Sequence, residues 1–266
     1  MPVDFMDEND QPTNLINYRP ICYFRRMAKL PLDILHEDEH IIAISKPSGM
    51  LTLPDRHDEE LQSLRGILER FYGKIFVVHR LDKDTSGVIV FAKDEHTHKY
   101  LSKLFEGREI EKLYLGLVVG KMMPESGTID QPIAESTTRA GAMVINKRGK
   151  ASVTDYRTVQ VFKQYSLVEF HIHTGRTHQI RIHSKFAGHP IVCDGLYGEE
   201  KPIRLSAIKK KFNLSTKDEE ERPLLSRLAL HAYKLTFKTE DGEALILEAP
   251  LPKDMQATVK QLEKNK

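Results

Sequence analysis

The stretch HRLDKDTSG, His79 to Gly87, lies between two apolar runs, FVV directly before it and VIVFA directly after it. Short runs of valine, isoleucine and phenylalanine are typical of strands, so we predict strands over Phe76–Arg80 and Val88–Lys93. A turn between two strands needs polar residues, but it does not need the three consecutive charged residues at 82–84. This density of ionisable groups makes the turn a candidate functional site.

The carboxylates of this turn, Asp82 and Asp84, admit more than one interpretation. An aspartate in a turn ordinarily hydrogen-bonds the local backbone, and Lys83 and Asp84 fit that role of shaping or solvating the turn. A carboxylate can also be a nucleophile, and the guanidinium of Arg80 two residues away favours its ionised form. Two carboxylates several ångströms apart are also what a glycoside hydrolase needs.

The composition limits the classes of protein to which the chain belongs. Of 266 residues, 40% are apolar and 29% charged, a globular balance, and the net charge of +2 means that any polyanion site is local. Cys22 and Cys193 lie far apart without a CxxC pattern, which disfavours a disulfide framework or thiolate metal site. The polar N-terminus lacks the apolar core of a secretory signal, and no apolar run approaches the length of a membrane span. We therefore expect a cytoplasmic protein.

The organisation along the chain indicates one folded region after a short arm. Residues 1–30 are rich in proline and lack periodicity, so we expect an extended or flexible N-terminal arm, followed by one folded domain over 31–266. Beyond Ile34, strand-like runs joined by turns outnumber a few amphipathic helices, which predicts an α+β protein with a mixed, mostly antiparallel central sheet and flanking helices. Residues 199–226 form a polar insertion that contains KKK and DEEE.

The histidines of the second half invite a metal interpretation. His171 and His173 are expected to share one face of a strand. His178 and His183, however, are five residues apart and do not share a helical face, and no spacing matches a hydrolytic metal motif. We therefore predict no metal site and expect structural or RNA-facing histidines.

The stretch TGRTHQIRIHSKFAG predicts a loop followed by a short helix, with Thr177 as its N-cap and Gly188 as its C-terminal stop. A helix N-terminus with Arg176 and Arg181 close to it suits a phosphate or a catalytic carboxylate. A capped helix that happens to carry arginines is the plainer alternative.

Tyr114 lies in the run EKLYLGLVVG, where leucines alternate with other residues as in a strand. Its side chain is expected to point away from the leucine face and so to leave the core that the leucines build. Such a tyrosine is ordinarily half-buried at an edge, but next to a bound base it would stack on that base.

Taken together, the motifs HRLDKDTSG, EKLYLGLVVG and HTGRTHQIRIHSKFAGHPIVCDGLYG, in this order and spacing, resemble those of the RluA-type family of RNA pseudouridine synthases. KPSGMLTLP upstream and LALHAYKLTF downstream are also similar to that family's pattern, so that the resemblance spans roughly residues 34–250. Many relatives begin with a small basic RNA-binding domain. The segment before Ile34 is too short for one, so the chain resembles the branch with the catalytic domain alone.

The resemblance implies the pseudouridine synthase fold, an isomerase that needs no metal or organic cofactor, and a role for each matching residue. Asp82 matches the nucleophile, and Arg181 matches the basic partner that keeps it ionised and oriented. Tyr114 matches the tyrosine that stacks on the uracil, and Arg80 is the candidate for the place that a flipped base leaves.

The expected partner is a structured RNA, a stem-loop of ribosomal RNA or transfer RNA, with no membrane partner and a monomeric protein. Two alternatives stay open: a non-catalytic RNA-binding module on the same fold, and a carboxylate-dependent glycosidase. The first keeps RNA affinity without chemistry, and the second needs another catalytic acid far away in the sequence.

Overall fold

The computed structural model describes residues 30–55, 58, 61–209, 212–213 and 220–266. Residues 32–266 form one compact unit. Apart from Leu30, the predicted N-terminal arm lies outside the described residues, as do Cys22 and part of the 199–226 insertion. Cys193 is a free, buried cysteine. None of the described helices is long and apolar enough to span a membrane.

Strands outnumber helices in the described part of the chain, and the predicted α+β class is confirmed. The strands are β1 Asp33–Glu37, β2 Ile41–Lys46, β3 Phe76–Val77, β4 Ser86–Ala92, β5 Glu111–Val119, β6 Ser126–Asp130, β7 Ile133–Glu135, β8 Met143–Ile145, β9 Val153–Val161, β10 Tyr165–Ile172, β11 Leu230–Lys238 and β12 Ala244–Glu248. The helices are α1 Leu64–Tyr72, α2 Glu95–Gly107, α3 Gln179–Phe186, α4 Leu205–Ile208 and α5 Lys253–Lys264.

One mixed sheet carries most of these strands, in the order β1-β2-β4-β11-β5-β10-β9-β6, with β3 beside β4 and β12 beside β11. Among the described residues, β4 and β11 pair in parallel and the other strand pairs are antiparallel, while β7 and β8 form a separate hairpin. Gly87 stands opposite Ala232 in the parallel pair, and a Cβ there would lie 2.1 Å from the Ala232 carbonyl oxygen. Only glycine permits this approach, which places the start of β4 in the middle of the sheet.

Strand β4 is buried along its whole length, which accounts for the continuous apolar run VIVFA. On one face, Val88 and Val90 join the cluster that includes Leu101 of α2. A second cluster packs β5 and β10 against α5, whose Met255 is buried there. Helices on a sheet that is buried at its centre leave the loops at the strand ends as the accessible places for a site.

The predicted strand over Phe76–Arg80 is too long, since β3 ends at Val77. Beyond this point the backbone N–H of Val90 donates to Nε2 of His79 at 3.1 Å, so a side chain replaces the next ladder bond. Burial lowers the pKa of His79 to about 3, so the ring stays a neutral acceptor. The chain therefore leaves the sheet early, and residues 78–85 form the loop that carries the charges.

The predicted cap of α2 is confirmed: Asp94 is the N-cap, and its side chain accepts the N–H of Thr97 at 2.8 Å. Within the predicted 199–226 insertion, the described part contains α4 and a bridge between Ile203 and Leu225.

Candidate active site

The loop over residues 78–85 is held from below by the loop that follows β2. Lys46 donates its ammonium protons to the carbonyl oxygens of Lys83 at 2.7 Å and Pro47 at 2.9 Å, and the N–H of Gly49 donates to Lys83 at 2.9 Å. The Lys46 side chain is fully buried, and burial lowers its pKa to about 8 despite the nearby carboxylate of Asp84. A buried cation that donates to backbone carbonyls ties the two loops together.

Two hydroxyls continue this attachment on either side of Asp82. Thr52 donates its hydroxyl to the Leu81 carbonyl at 3.0 Å and accepts the Leu81 N–H at 3.3 Å, and Ser48 donates to the Asp84 carbonyl at 2.6 Å. The residues on both sides of Asp82 are thus fixed through their backbone. The Asp82 side chain is left to project from a rigid mount.

Asp82 lies at the floor of a cavity that brings three distant parts of the chain together. The cavity is lined by Arg80, Leu81, Asp82, Thr85, Tyr114, Ile172, Leu230 and the segment 175–181. The structure thus places all four residues of the predicted site, Arg80, Asp82, Tyr114 and Arg181, around one space. Among the described residues that line it, Asp82 is the one carboxylate.

The carboxylate of Asp82 is partly exposed, with 22% of its side chain open to solvent. Its Oδ2 lies 3.9 Å from Nη1 of Arg181 and 3.9 Å from Nε2 of His178. Within the described part of the chain, no side-chain hydrogen bond occupies either of its oxygens. Asp82 therefore stands in a positive field with both oxygens available.

Arg181 makes its direct bonds to another residue, Asp194. Nε and Nη2 of Arg181 each donate to one oxygen of Asp194 at 2.8 Å, a bidentate pair whose carboxylate is fully buried. Burial alone would raise the pKa of Asp194, but the hydrogen bonds and charge of Arg181 outweigh it and hold that pKa below its usual value. The pair fixes the guanidinium so that Nη1 is left facing Asp82.

The loop before α3 differs from the prediction. Thr177 is not the N-cap; His178 holds that position in the left-handed region with φ 55° and makes no side-chain cap. The helix begins one residue later than predicted, and the side-chain oxygen of Gln179 closes the loop before it by accepting the N–H of Arg176 at 3.1 Å and the hydroxyl of Thr174 at 2.7 Å. This arrangement turns His178 into the cavity.

The strand pattern predicts that Tyr114 leaves the core, but in the structure it packs against the core. It packs partly buried against the cluster that contains Phe170, and the rest of its side chain lines the cavity beside Asp82. Burial and the charge of Asp82 raise the pKa of Tyr114. Its phenol therefore stays protonated at neutral pH.

The rim of the cavity is basic although the chain as a whole is almost neutral. A neighbouring groove shares Arg80 and Arg176 with the cavity and adds Arg108 and Lys112. Another depression, which also includes Arg176, adds Arg148 and Lys150. The local concentration of positive charge that the composition requires of a polyanion site is found here.

The histidines considered as metal ligands are divided between places. His171 and His173 lie with Asp155 on one face of the sheet, and among the described residues this is the one group with ligand atoms within 4.8 Å of one another. The oxygens of Asp155 already accept hydrogen bonds, from His173 at 2.6 Å and from Thr128 at 2.6 Å. His183 is buried elsewhere, at 0% exposure.

Sequence reasoning missed three residues of the site: Lys46, Asp194 and the role of His178. Lys46 and Asp194 lie within motifs quoted for the resemblance, KPSGMLTLP and CDGLYG, but nothing in those letters says that they bind the Asp82 loop or Arg181. A lysine at the end of an apolar strand was the available signal, since a buried lysine needs partners.

The comparisons with known proteins show which family has this combination of sheet and site. Residues 40–185 match the family model described as RNA pseudouridylate synthase. The uncharacterized RNA pseudouridine synthase YlyB of Bacillus subtilis is 32% identical over 89% of this chain and 74% of its own length.

Two further relatives extend this likeness. The ribosomal large subunit pseudouridine synthase D of Nitrosomonas europaea is 36% identical over 86% of this chain and 64% of its own length. The solved structure of human RNA pseudouridylate synthase domain containing 4 superimposes with a TM-score of 0.65 at 27% identity, covering 87% of this chain and 93% of that one. The chain belongs to the RNA pseudouridylate synthase family, whose members are isomerases.

Proposed function

We propose that this protein isomerises specific uridines in ribosomal RNA or transfer RNA to pseudouridine, with Asp82 as the nucleophile. The observation that carries the proposal is the state of Asp82: its carboxylate accepts no side-chain hydrogen bond from the described residues, its backbone is fixed, and it lies 3.9 Å from a guanidinium that Asp194 holds in place. A nucleophile needs a rigid mount, an ionised form and free lone pairs.

The reaction exchanges one bond to the ribose for another. The bond from C1′ to N1 breaks, the uracil turns, C5 bonds to C1′, and the proton on C5 leaves, so that atoms and electrons balance without a redox partner. Asp82 serves by attacking the sugar or the base, or by assisting the departure of the uracil anion. After attack on the sugar, the bond from Asp82 to C1′ breaks when C5 bonds to C1′. After attack on the base, the bond from Asp82 to the base breaks by elimination when the C5 proton leaves.

Arg181 and Tyr114 have separate parts in this proposal. Arg181 orients Asp82 and stabilises charge that develops on the departing base. Tyr114 stacks on the uracil, and its raised pKa favours this part over removal of the C5 proton, because a protonated phenol is a poor base.

The target uridine has to leave its helix, since neither C5 nor the glycosidic bond is accessible within a stack. Arg80 is exposed at the mouth of the cavity and is our candidate for the place that the base leaves. The basic groove and the second depression that includes Arg176 are suited to phosphates next to the flipped nucleotide.

Two relatives support a ribosomal RNA substrate by name, since they are called ribosomal large subunit pseudouridine synthases. Transfer RNA stays within the proposal because the basic rim fits the backbone of any folded RNA. We further propose that the protein acts as a cytoplasmic monomer, with residues 31–266 as its catalytic domain. The glycosidase alternative is disfavoured, because Asp82 has no second carboxylate across the cavity among its described lining residues.

The test is tritium release from RNA that carries 5-labelled uridine, with ribosomal RNA and transfer RNA transcripts as substrates and the Asp82→Asn variant as control. We expect release by the wild type alone, equally with and without EDTA. Mapping of pseudouridines in cells with and without the gene then identifies the position. RNA binding without release, together with an unchanged pseudouridine map, would establish the non-catalytic alternative, and inactivation by EDTA would revive a metal site.

A further inference from the structure

His178 is the second group that faces Asp82, and the established family membership leaves its role open. Its Nε2 lies 3.9 Å from Oδ2 of Asp82, on the same oxygen that Arg181 faces. The backbone at His178 has φ 55°, a conformation that costs a non-glycine residue free energy and occurs in only a few per cent of them. Strain of this kind is kept where the surrounding structure requires the side chain.

The other nitrogen of His178 is held by Tyr197. Nδ1 of His178 lies 2.9 Å from the Tyr197 hydroxyl, and the same hydroxyl oxygen accepts the backbone N–H of Met143 at 2.7 Å. The phenol has one proton to donate, and Nδ1 is its one acceptor among the described residues. This points to an arrangement in which Tyr197 donates its proton to Nδ1 of His178, and in that arrangement a neutral ring carries its own proton on Nε2, the nitrogen that faces Asp82.

The charges around the ring favour this neutral form. Burial lowers the pKa of His178, and Arg181 and Arg80 lower it further, while Asp82 and Asp194 oppose them without reversing the shift. Tyr197 stays protonated because burial raises its pKa. At neutral pH the phenol of Tyr197 and the imidazole of His178 are thus both uncharged.

One short segment, Asp194 to Tyr197, orients both groups that face Asp82. Asp194 holds Arg181 through two hydrogen bonds, and Tyr197 holds His178 through one. The segment is itself closed by the N–H groups of Leu196 and Tyr197, which donate to Asp194 at 3.0 and 3.1 Å. The segment CDGLYG thus positions both Arg181 and His178.

We propose, on the basis of the proposed function, that His178 is a positioning residue for the nucleophile: Tyr197 fixes its proton on Nε2, and this N–H steadies the Asp82 carboxylate beside Arg181. At 3.9 Å a movement of about 1 Å completes the hydrogen bond. Arg181 supplies charge from one side and His178 supplies direction from the other.

The first test reads the tautomer without any turnover. In protein labelled with ¹⁵N-histidine, the two-bond ¹H–¹⁵N correlations of His178 show which nitrogen bears the proton, and the His178→Asn spectrum assigns the signal. We expect the Nε2–H form in the wild type and a mixture of tautomers in Tyr197→Phe. A wild-type ring that is protonated on Nδ1, or doubly protonated at neutral pH, would overturn the proposal.

The second test reads the contact with the nucleophile. Because the Asp82 charge raises the pKa of His178, Asp82→Asn should lower that pKa and shift the Nε2 resonance. Asp84→Asn removes an exposed carboxylate from the same turn and should leave both unchanged. Equal effects of the two variants would mean that His178 senses only the general charge of the loop.

The third test is kinetic and uses two variants that differ in reach. The amide nitrogen of asparagine can replace Nδ1 and that of glutamine Nε2, and asparagine is well tolerated at a positive φ. We expect His178→Asn to lower kcat about 100-fold and His178→Gln about tenfold, with KM changed less than kcat. Wild-type kcat in His178→Asn would end the positioning role. If the wild type itself fails to release tritium, the proposed function falls, while the two NMR tests still decide the tautomer and the contact.

Discussion

Arg181 lies next to two aspartates that differ in burial and in hydrogen bonding. Asp194 is fully buried, with both oxygens bonded to the guanidinium at 2.8 Å and two backbone N–H groups on one of them. Asp82 is 22% exposed and lies 3.9 Å from the same guanidinium. A carboxylate that accepts four hydrogen bonds holds the structure together, whereas a charged one that accepts no side-chain hydrogen bond from the described residues is available for chemistry.

The difference follows from how each aspartate is held in place. Asp194 is bonded through its side chain, so its position depends on Arg181. Asp82 is positioned through the backbone around it, by Lys46, Ser48 and Thr52, so its side chain is spared. The comparison predicts that substitution of Asp82 lowers turnover, whereas substitution of Asp194 lowers stability.

The largest expected effect is on turnover in Asp82→Asn. We expect isomerisation to fall by at least about 10³-fold, because the amide is not a nucleophile, while RNA affinity and the melting temperature stay near wild type. Tritium release, RNA binding and thermal unfolding measure the three quantities. Residual turnover close to wild type would remove Asp82 from the nucleophile role.

Asp194→Asn should instead lower the stability of the folded protein. Loss of the charge leaves Arg181 buried without its counterion, and we expect the free energy of unfolding in urea to drop by about 3–5 kcal/mol. Since the pKa of Asp194 lies below 3.8, wild type should keep this increment above about pH 4 and lose it as the pH falls through that pKa.

The matched control is Asp254→Asn, which breaks a bidentate pair with Arg227 at 2.7 Å whose carboxylate is 36% exposed. It should cost about 1 kcal/mol. Similar losses in the two variants would show that burial does not separate them.

Arg181→Met should lower both turnover and stability, and a double variant can separate the two effects. The single change leaves Asp194 buried and unpaired, and it removes the charge beside Asp82. Adding Asp194→Leu replaces the ion pair by apolar groups and should recover most of the stability without recovering turnover. Recovery of both in chemical denaturation and tritium release would reduce Arg181 to a structural residue.

Apart from the Asp254→Asn control, the smallest expected effect concerns Lys46, which holds the loop that carries Asp82. The folded pKa of Lys46 is about 8 and its unfolded value 10.5, so between these pH values the unfolded chain binds more protons and stability should rise with pH, by about 3 kcal/mol at most. The difference between wild type and Lys46→Met, followed by urea unfolding from pH 7 to 10.5, isolates this contribution. A constant difference would contradict the lowered pKa.

Local chemistry explains why some elements were predictable. The run VIVFA was identified as a strand because its residues favour extended structure, and Asp94 as a cap because its carboxylate satisfies N–H groups three residues away. Thr177 is not the cap because the helix begins at Gln179, whose side chain is anchored on β9 and accepts the N–H of Arg176 in the preceding loop, and such contacts cannot be read from the sequence.

The sequence by itself determined the family, the α+β class and the four residues that meet in the cavity, since these depend on motifs and on local patterns of polarity. Only the tertiary structure decided that Asp194 rather than Asp82 binds Arg181 directly, that His178 faces the nucleophile, and that Lys46 supports it. Lys46 and Asp82 are 36 residues apart, and Asp82 and Arg181 are 99 apart. Hydrogen bonds and the fields of charges act over a few ångströms, so which of these groups interact depends on the folding of the chain and not on its order.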